Sequence, residues 1–372
     1  MDLFIDRANL VSLLAMPKET DLDLYLDCRR LMSRQLRIHY NFPNPIQSSN
    51  NDLGLSDLEG AGWDEDSPTS TLFDQYFNST TEGQGMTKEK DVFYSCLSDF
   101  DEKCNQSKSK ICVLDETIAH WIDTENILVG GVGEELSVMK KLLCGTDYDL
   151  HKLYDIRRDF ESWEVLEKDG HALPTKKIVV FDRYLFANSW DAEKKQIRDS
   201  FDDETNFVNF FPLMKVLTSK CRGKVDIEVF TLAKDSQIEQ LFKYQKILQR
   251  YLCGNSELDV SSTFVLIPND EKKEVGTHIS APHDRIIITQ YRMFRSGDSW
   301  HYFNKDHKLI TKGKALDVDS LAKAESEEYA NSVIVNLMGV RKQVGKLESE
   351  HGNAQRIYVL CGSKIKSESN LN

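Results

Sequence analysis

The chain has 372 residues, of which 40% are hydrophobic and 29% charged, with 60 acidic side chains against 47 basic ones and a formal net charge of −13. This composition excludes a disordered or fibrous protein, and the negative charge disfavours nonspecific coating of nucleic acid. No apolar run approaches the roughly 20 residues that cross a bilayer, and acids stand where a secretion signal has Lys or Arg, so we expect a cytoplasmic protein without membrane contact.

The amino-terminal part, residues 1–150, is predicted as a smaller α/β domain. Its predicted strands are 3–5, 36–41, 111–114 and 127–129, and its predicted helices are 9–15, 21–32 and 134–143. Residues 47–87 contain eight carboxylates and neither Lys nor Arg. We predict a long exposed insertion there, whose apolar residues Trp63 and Leu72 to Phe77 could dock on the body or on a partner.

The remainder, residues 151–372, is predicted as a second α/β domain. Its predicted strands are 177–185, 225–232, 263–267, 285–291 and 355–361, its predicted helices are 206–218, 238–252 and 320–348, and a hairpin is predicted at 300–311. Short apolar runs that alternate with helical periods indicate βαβ units, so we expect a mainly parallel, mixed sheet flanked by helices.

We interpret the cysteines and two short motifs as structural features rather than as functional sites. The eight cysteines form no Cys-x-x-Cys pair and have no His at zinc-finger spacing, which predicts reduced thiols; Cys104 and Cys112 are a near pair. Residues 128–135, LVGGVGEE, lack the Lys of a phosphate loop and predict a glycine turn into a helix. The Asp182-Arg183 pair in a buried strand predicts an internal ion pair.

One segment points to phosphate. Residues 283–315 hold seven Lys or Arg against three Asp, a local excess of four positive charges. His283 and Arg285 fall on one face of the predicted strand because side chains alternate with period two. An imidazole beside a guanidinium suits phosphate, since the first can attack or protonate and the second binds two oxygens.

The same segment resembles the phospholipase D-like superfamily, whose motif runs His-x-Lys, then Asp, then Gly-Ser-x-Asn. His283 matches the His and Gly297 the Gly, with Ser299 close behind, while Arg285 replaces the Lys and Gln290 the Asp. This version is similar to degenerate modules of prokaryotic defence and mobile-element proteins, in which the fold can bind rather than cut. The resemblance covers residues 176–313, and one motif copy implies a homodimer for catalysis.

The resemblance implies a nucleic-acid-recognition or interaction subunit in bacterial antiviral defence, whose partner is nucleic acid or a protein of a defence complex. Catalysis, if present, would be a phosphodiesterase reaction that uses His283 and Arg285 without a cofactor. The phosphate or nucleic-acid ligands expected on this basis are Arg285, Arg292, Arg295, Gly297, Ser299, Lys305 and Lys308.

An alternative hypothesis, that the protein is a metal-dependent enzyme, rests on the segment FIDRAN, residues 4–9. The apolar strand ends in Asp6 with Asn9 shortly after, which resembles the first strand of PIN- and NYN-type nucleases, where that strand ends in a metal-binding Asp. A Mg²⁺ site would need further carboxylates from other strand ends, and Asp115 is available. An Asp before a helix is also the commonest amino-terminal cap. A third alternative is a noncatalytic scaffold that binds partners through residues 47–87.

Overall fold

The structure, a computed structural model, describes residues 1–14, 22–40, 92–94, 96–107, 110–115, 124–131, 133–143, 149–183, 185, 190–191, 196–197, 207–232, 238–254, 257–267, 285–297, 300–310, 315–351, 357–361 and 364–367. Two units divide the chain: residues 1–148 with 322–324, and residues 149–321 with 325–372. The division falls close to the boundary predicted at residue 150. The predicted insertion at 47–87 lies outside the described residues.

The first unit is a parallel sheet with helices. Its strands are β1 (Asp2–Ile5), β2 (Arg37–Tyr40), β3 (Val92–Phe93), β4 (Lys110–Val113) and β5 (Leu128–Gly130). Its helices are α1 (Arg7–Leu14), α2 (Leu22–Arg30), α3 (Leu97–Gln106) and α4 (Glu135–Leu143), with a π-helical turn at Leu31–Gln35 after α2. The four predicted strands and three predicted helices are confirmed, whereas the sequence did not indicate β3 or α3.

The strand order of this sheet is β3-β2-β1-β4-β5, and every neighbouring pair is parallel. The chain builds β1, β2 and β3 toward one edge and then returns to place β4 and β5 on the other side of β1. The carboxyl ends of β1 and β4 therefore flank the point where the strand order reverses, which is the usual ligand position in open α/β sheets.

The second unit is built on a larger sheet. Its strands are β6 (His151–Asp155), β7 (Lys177–Phe181), β8 (Trp190–Asp191), β9 (Gln196–Ile197), β10 (Gly223–Leu232), β11 (Leu258–Ile267), β12 (Arg285–Ile288), β13 (Arg292–Ser296), β14 (Ala315–Ser320), β15 (Ile357–Cys361) and β16 (Lys364–Ser367). Its helices are α5 (Ile156–Asp159), α6 (Val165–Lys168), α7 (Phe210–Leu217), α8 (Ile238–Cys253) and α9 (Ala324–His351).

Nine of these strands form one mixed sheet in the order β16-β15-β11-β10-β7-β12-β13-β14-β6. The predicted βαβ units are confirmed in β7, β10 and β11, which are parallel neighbours. The other six neighbouring pairs are antiparallel, so the prediction of a mainly parallel sheet is wrong for this unit. Residues 289–291 join β12 to β13, and so short a connection cannot make a parallel crossover.

The main apolar cluster of this unit lies on one face of the sheet. A single register row crosses five strands with the buried side chains of Val229, Val180, Ile287, Phe294 and Val318. The apolar residues of α7 and α8 pack in the same cluster, which removes this face from water and supplies most of the apolar burial of the unit.

In the described part of the chain, no helix combines the length and the apolar character needed to cross a membrane.

Candidate functional site

Asp6 occupies the junction between β1 and α1. Its Oδ1 accepts a hydrogen bond from the backbone nitrogen of Asn9 at 3.0 Å, and its Oδ2 accepts one from Nδ2 of Asn9 at 2.8 Å. The first bond satisfies a free N–H group of the opening helical turn, so the capping role predicted for Asp6 is confirmed. The cap also fixes the orientation of the carboxylate at the carboxyl end of the central strand.

Asp115 meets Asp6 at the same edge of the sheet. Because β1 and β4 pair in parallel, with Ile5 opposite Val113, the residues that follow both strands emerge together. The backbone nitrogen of Asp115 donates to Oδ2 of Asp6 at 2.5 Å. The two residues named for the alternative metal site are therefore neighbours at the point where the strand order reverses.

Within the described residues, the Asp6 carboxylate has one acceptor position without a hydrogen-bond donor. An ionised carboxylate offers about four acceptor positions, and the three N–H bonds described above fill two on Oδ2 and one on Oδ1. Asp6 is buried, with 6% of its surface exposed. The remaining position on Oδ1 is thus presented by a carboxylate that the backbone already holds in place.

Asn9 supplies a second oxygen beside this carboxylate. The residue is fully buried, and within the described residues its Oδ1 has no hydrogen-bond partner, although Nδ2 is bound to Asp6. A buried amide oxygen without a donor is unfavourable by roughly 1–3 kcal/mol. A cation or an ordered water at this oxygen would relieve that cost.

Another buried carboxylate, that of Glu135, follows β5, the strand next to β4. Gly130 ends β5 where an added Cβ would come within 2.6 Å of Cγ2 of Val138, and Gly133 has a φ of 85°, so the predicted glycine turn into a helix is confirmed. Glu135 at the start of α4 accepts a hydrogen bond from the hydroxyl of Ser12 on α1. This contact ties the helix that Asp6 caps to the helix that follows the glycine turn.

The oxygen donors at Asp6 suit Mg²⁺, because this ion does not need a site built from protein ligands alone. In the described ranges, no three His, Cys, Asp or Glu side chains gather closely enough to hold a metal ion. Mg²⁺ prefers oxygen ligands and is commonly held by one or two carboxylates, while waters and substrate phosphates complete its shell. Asp6 and Asn9 provide a carboxylate and an amide oxygen for such an ion, and the backbone nitrogen of Asp115 lies against the same carboxylate.

The residues of the phospholipase D-like segment have mainly internal partners. His283 and Ser299 lie outside the described residues. Arg285 is 8% exposed; its Nη1 donates to the carbonyl oxygen of Gly297 at 3.1 Å, and its Nε lies 3.7 Å from Oδ1 of the fully buried Asp182. The guanidinium expected to bind phosphate is therefore part of an internal ion pair.

Arg292 and Arg295 are also engaged within the unit. Arg292 is fully buried and donates from Nη1 to the carbonyl oxygen of Tyr291 at 3.3 Å and to Oγ of Ser320 at 2.8 Å. Arg295 donates from Nη2 to Oδ2 of Asp319 at 3.0 Å. Burial removes Arg292 from any surface that nucleic acid could contact, and Asp319 offsets the charge of Arg295.

Among the described residues expected to bind phosphate, Lys305 and Lys308 are the two exposed cations. They lie at the tip of the predicted hairpin, which is confirmed by a bridge between Phe303 and Leu309. Oδ1 of Asn304 accepts hydrogen bonds from the backbone nitrogens of Asp306 at 3.0 Å and Lys308 at 2.9 Å. The tip therefore presents its two ammonium groups on a backbone fixed by local bonds.

The fold also assembles a His-Asp-Arg cluster that the sequence did not indicate. Nδ1 of His151 lies 2.9 Å from Oδ1 of Asp319, and Nε2 of His151 lies 3.8 Å from Oδ1 of Asp317. Arg295 contacts both of these aspartates. In the sequence, the only indication of this cluster is the alternation of Asp317 and Asp319 along one strand. The pairing of that strand with β6 and β13 brings His151 and Arg295 beside the two aspartates.

No protein-family model matches the chain, and no curated protein matches its sequence. The geometry at Asp6 and at the hairpin tip therefore forms the basis for assigning a function.

Proposed function

We propose that the first unit is a Mg²⁺-dependent phosphodiesterase that acts on nucleic acid, with its centre at Asp6. The observation that carries this proposal is the meeting of Asp6 and Asp115 at the point where the strand order of a parallel sheet reverses. The FIDRAN segment supports the nucleic-acid assignment, since it resembles the first strand of PIN- and NYN-type nucleases.

Three residues would hold the ion. Asp6 offers the acceptor position on Oδ1 that no described donor fills, and Asn9 offers its buried Oδ1. We place the Asp115 carboxylate with them because the backbone nitrogen of the same residue donates to Asp6. Mg²⁺ when bound would neutralise phosphate charge and polarise a phosphoryl oxygen. The N–H groups of Asn9 and Asp115 hold the Asp6 carboxylate before substrate arrives, so little reorganisation is needed on binding.

Cleavage assays on the full chain test this proposal. Labelled single- and double-stranded DNA and RNA are incubated with the protein in Mg²⁺ and in EDTA. Asp115→Asn is the informative variant, because the backbone nitrogen of residue 115 still donates to Asp6. Asp23→Asn is the matched control, since Asp23 is an exposed aspartate on α2.

We expect cleavage in Mg²⁺, none in EDTA, a decrease of about 100-fold in Asp115→Asn, and unchanged cleavage in Asp23→Asn. Cleavage that persists in EDTA or in Asp115→Asn would overturn the proposal. So would the absence of cleavage of all four substrates in Mg²⁺.

A second candidate function, nucleic-acid recognition by the second unit, is favoured by the hairpin tip. Lys305 and Lys308 are exposed there on a fixed backbone, within the segment that resembles degenerate phospholipase D-like modules of defence proteins. Recognition would depend on these two lysines rather than on the internal arginines, and it would not require the Asp6 site.

Replacement of both lysines by alanine should weaken binding of a labelled DNA or RNA oligonucleotide. The logarithm of the binding constant should also depend less steeply on salt concentration, by about 1 to 2 in slope, because each phosphate contact releases counterions. Fluorescence anisotropy at several salt concentrations measures both quantities. Lys220→Ala, at an exposed lysine paired with Glu167, is the control; equal binding by the double variant and this control would exclude the hairpin tip.

A further inference from the structure

Two cysteine sulfurs lie in contact between α3 and β4. Sγ of Cys104 and Sγ of Cys112 are 3.6 Å apart, and both residues are fully buried. A disulfide bond requires a separation of about 2.05 Å, so the sulfurs need to approach by roughly 1.5 Å.

The surroundings make the two thiols chemically unequal. The hydrogen bond with Cys112 lowers the pKa of Cys104 and the nearby Lys110 charge adds to this effect, although burial opposes both. The same hydrogen bond and burial raise the pKa of Cys112. Cys104 is therefore the more acidic of the two thiols and the one that loses its proton more readily.

Lys110 anchors this arrangement. It is the first residue of β4 and is buried, with 3% of its surface exposed. Its Nζ donates to the carbonyl oxygen of Cys104 at 2.5 Å. The bond links the end of α3 to β4 independently of the sulfur contact, so the thiols remain neighbours whether or not they are bonded to each other.

Other described cysteines have different surroundings. The exposed Cys96 contacts the hydroxyl of Ser98 at 2.8 Å. Cys221 lies against the backbone of Thr175, and burial raises the pKa of its thiol to about 11, which suppresses the nucleophilic thiolate. A reactive sulfur and a second sulfur to capture its oxidised form come together at Cys104 and Cys112.

We propose that Cys104 and Cys112 form a site of reversible oxidation, at which hydrogen peroxide converts the two thiols into an intramolecular disulfide. The Cys104 sulfur attacks one peroxide oxygen, the O–O bond breaks, and the departing hydroxide takes up the proton of the Cys104 thiol and leaves as water, which gives a sulfenic acid. The Cys112 sulfur then attacks the Cys104 sulfur, the S–O bond breaks, and the hydroxyl leaves as water with the Cys112 proton. Two thiols lose two electrons, and one peroxide becomes two waters.

The disulfide would join α3 covalently to the strand that leads to Asp115. In the thiol form, α3 is held by packing such as the edge contact of Phe100 on Phe4, with ring centroids 5.4 Å apart. Oxidation would add a covalent restraint near the end of the same helix. The proposal does not depend on phosphodiesterase activity, because it concerns only the sulfur pair.

Peptide mapping of the native full chain tests the proposal. Trypsin cleaves after Lys103, Lys108 and Lys110, so it places Cys104 in peptide 104–108 and Cys112 in peptide 111–140. The protein is treated with hydrogen peroxide, free thiols are blocked with N-ethylmaleimide, and the unreduced digest is analysed by mass spectrometry. We expect a linked pair of these peptides, two hydrogens lighter than their sum, that dithiothreitol separates.

Alkylation of peptide 104–108 should fall about tenfold after oxidation. Cys104→Ser and Cys112→Ser should abolish the linked pair, whereas Cys28→Ser, at another buried cysteine of the same unit, should retain it. Full alkylation of both peptides in the oxidised native protein would overturn the proposal. A linkage that forms only in the denatured chain, or that joins Cys104 to a different cysteine, would do the same.

Discussion

Nη1 of Arg341 on α9 donates to Oε1 of Glu228 on β10 at 2.8 Å. The other carboxylate oxygen of Glu228 forms an ion pair with Nζ of Lys177 on β7 at 2.5 Å. Glu228 is buried, with 2% of its surface exposed, while both cations reach solvent in part. One carboxylate therefore connects the long helix to two neighbouring strands.

We expect Glu228→Gln to lower the free energy of unfolding of the second unit by about 2 kcal/mol, less than for a fully buried pair, because water partly solvates both cations. The glutamine side chain is neutral, so Arg341 and Lys177 both lose the negative charge that they contact in the wild type. Urea denaturation followed by circular dichroism measures the change. Glu257→Gln, at an exposed position before β11, should have no effect, and equal loss in the two variants would contradict this role of Glu228.

His171 should make the second unit less stable in weak acid. Burial, together with the charges of Arg292 and Lys152, lowers the pKa of its imidazole to about 3. The ring is therefore neutral at ordinary pH. The hydroxyl of Tyr154 donates to Asp169 at 2.6 Å, so it accepts a hydrogen bond from the Nε2–H group of His171 at 2.7 Å.

Between the ordinary pKa of 6.5 and about 3, the unfolded chain binds a proton at residue 171 that the folded unit does not. The free energy of unfolding therefore falls as the pH falls through this window, by up to about 1.4 kcal/mol per pH unit from this group. His171→Gln keeps a donor for Tyr154 and should show a shallower decrease in urea denaturation at pH 7, 6 and 5. Parallel curves for variant and wild type would refute this assignment.

Arg292→Ala should destabilise the second unit by about 3 kcal/mol, because it opens a cavity and removes the donor to Tyr291 and Ser320. Thermal unfolding measures this loss. Weaker nucleic-acid binding by this variant would reflect unfolding rather than a lost phosphate contact. A stable Arg292→Ala protein would show that the guanidinium is not an internal support.

Mg²⁺ should raise the melting temperature of the wild-type first unit. An ion that binds only the folded state stabilises it by about 2.7 kcal/mol at 100 times its dissociation constant. Asp115→Asn should unfold close to the wild-type temperature in EDTA, since the bond to Asp6 uses the backbone nitrogen, but should lose most of the Mg²⁺ effect. Calorimetry of both proteins measures the rise in melting temperature with Mg²⁺. An equal rise in the two proteins would show that Asp115 does not bind the ion.

The sequence predicted the residues at the Asp6 site but not how they meet. The apolar run that ends at Asp6 and the one that ends before Asp115 each have a strong local pattern, so both strands were found. Their adjacency depends on the order β2-β1-β4, which is fixed by long-range pairing and by crossovers. The unpartnered oxygen of Asn9 depends on three-dimensional packing in the same way.

The surface position expected for Arg292 is wrong for a physical reason. Period-two alternation places Arg292 on the same face of β13 as Phe294, which belongs to the core. A charged residue on a core face is tolerated only when the fold supplies acceptors, and one of these, Ser320, lies on β14 in register with Arg292. A count of basic residues along the chain contains no information about that neighbour.

The placement of β6 affects the order in which the second unit can be completed during synthesis. β6 is the first strand of its unit to leave the ribosome, yet it lies at one edge of the sheet, beside β14. β6 contributes Tyr154 to the core, and Tyr154 pairs with Leu316 on β14. The two strands can therefore pair only after residue 316 has been translated. A chain that stops before Ala315 would leave β6 without this neighbour, so a nascent or shortened protein would expose an unpaired strand to aggregation.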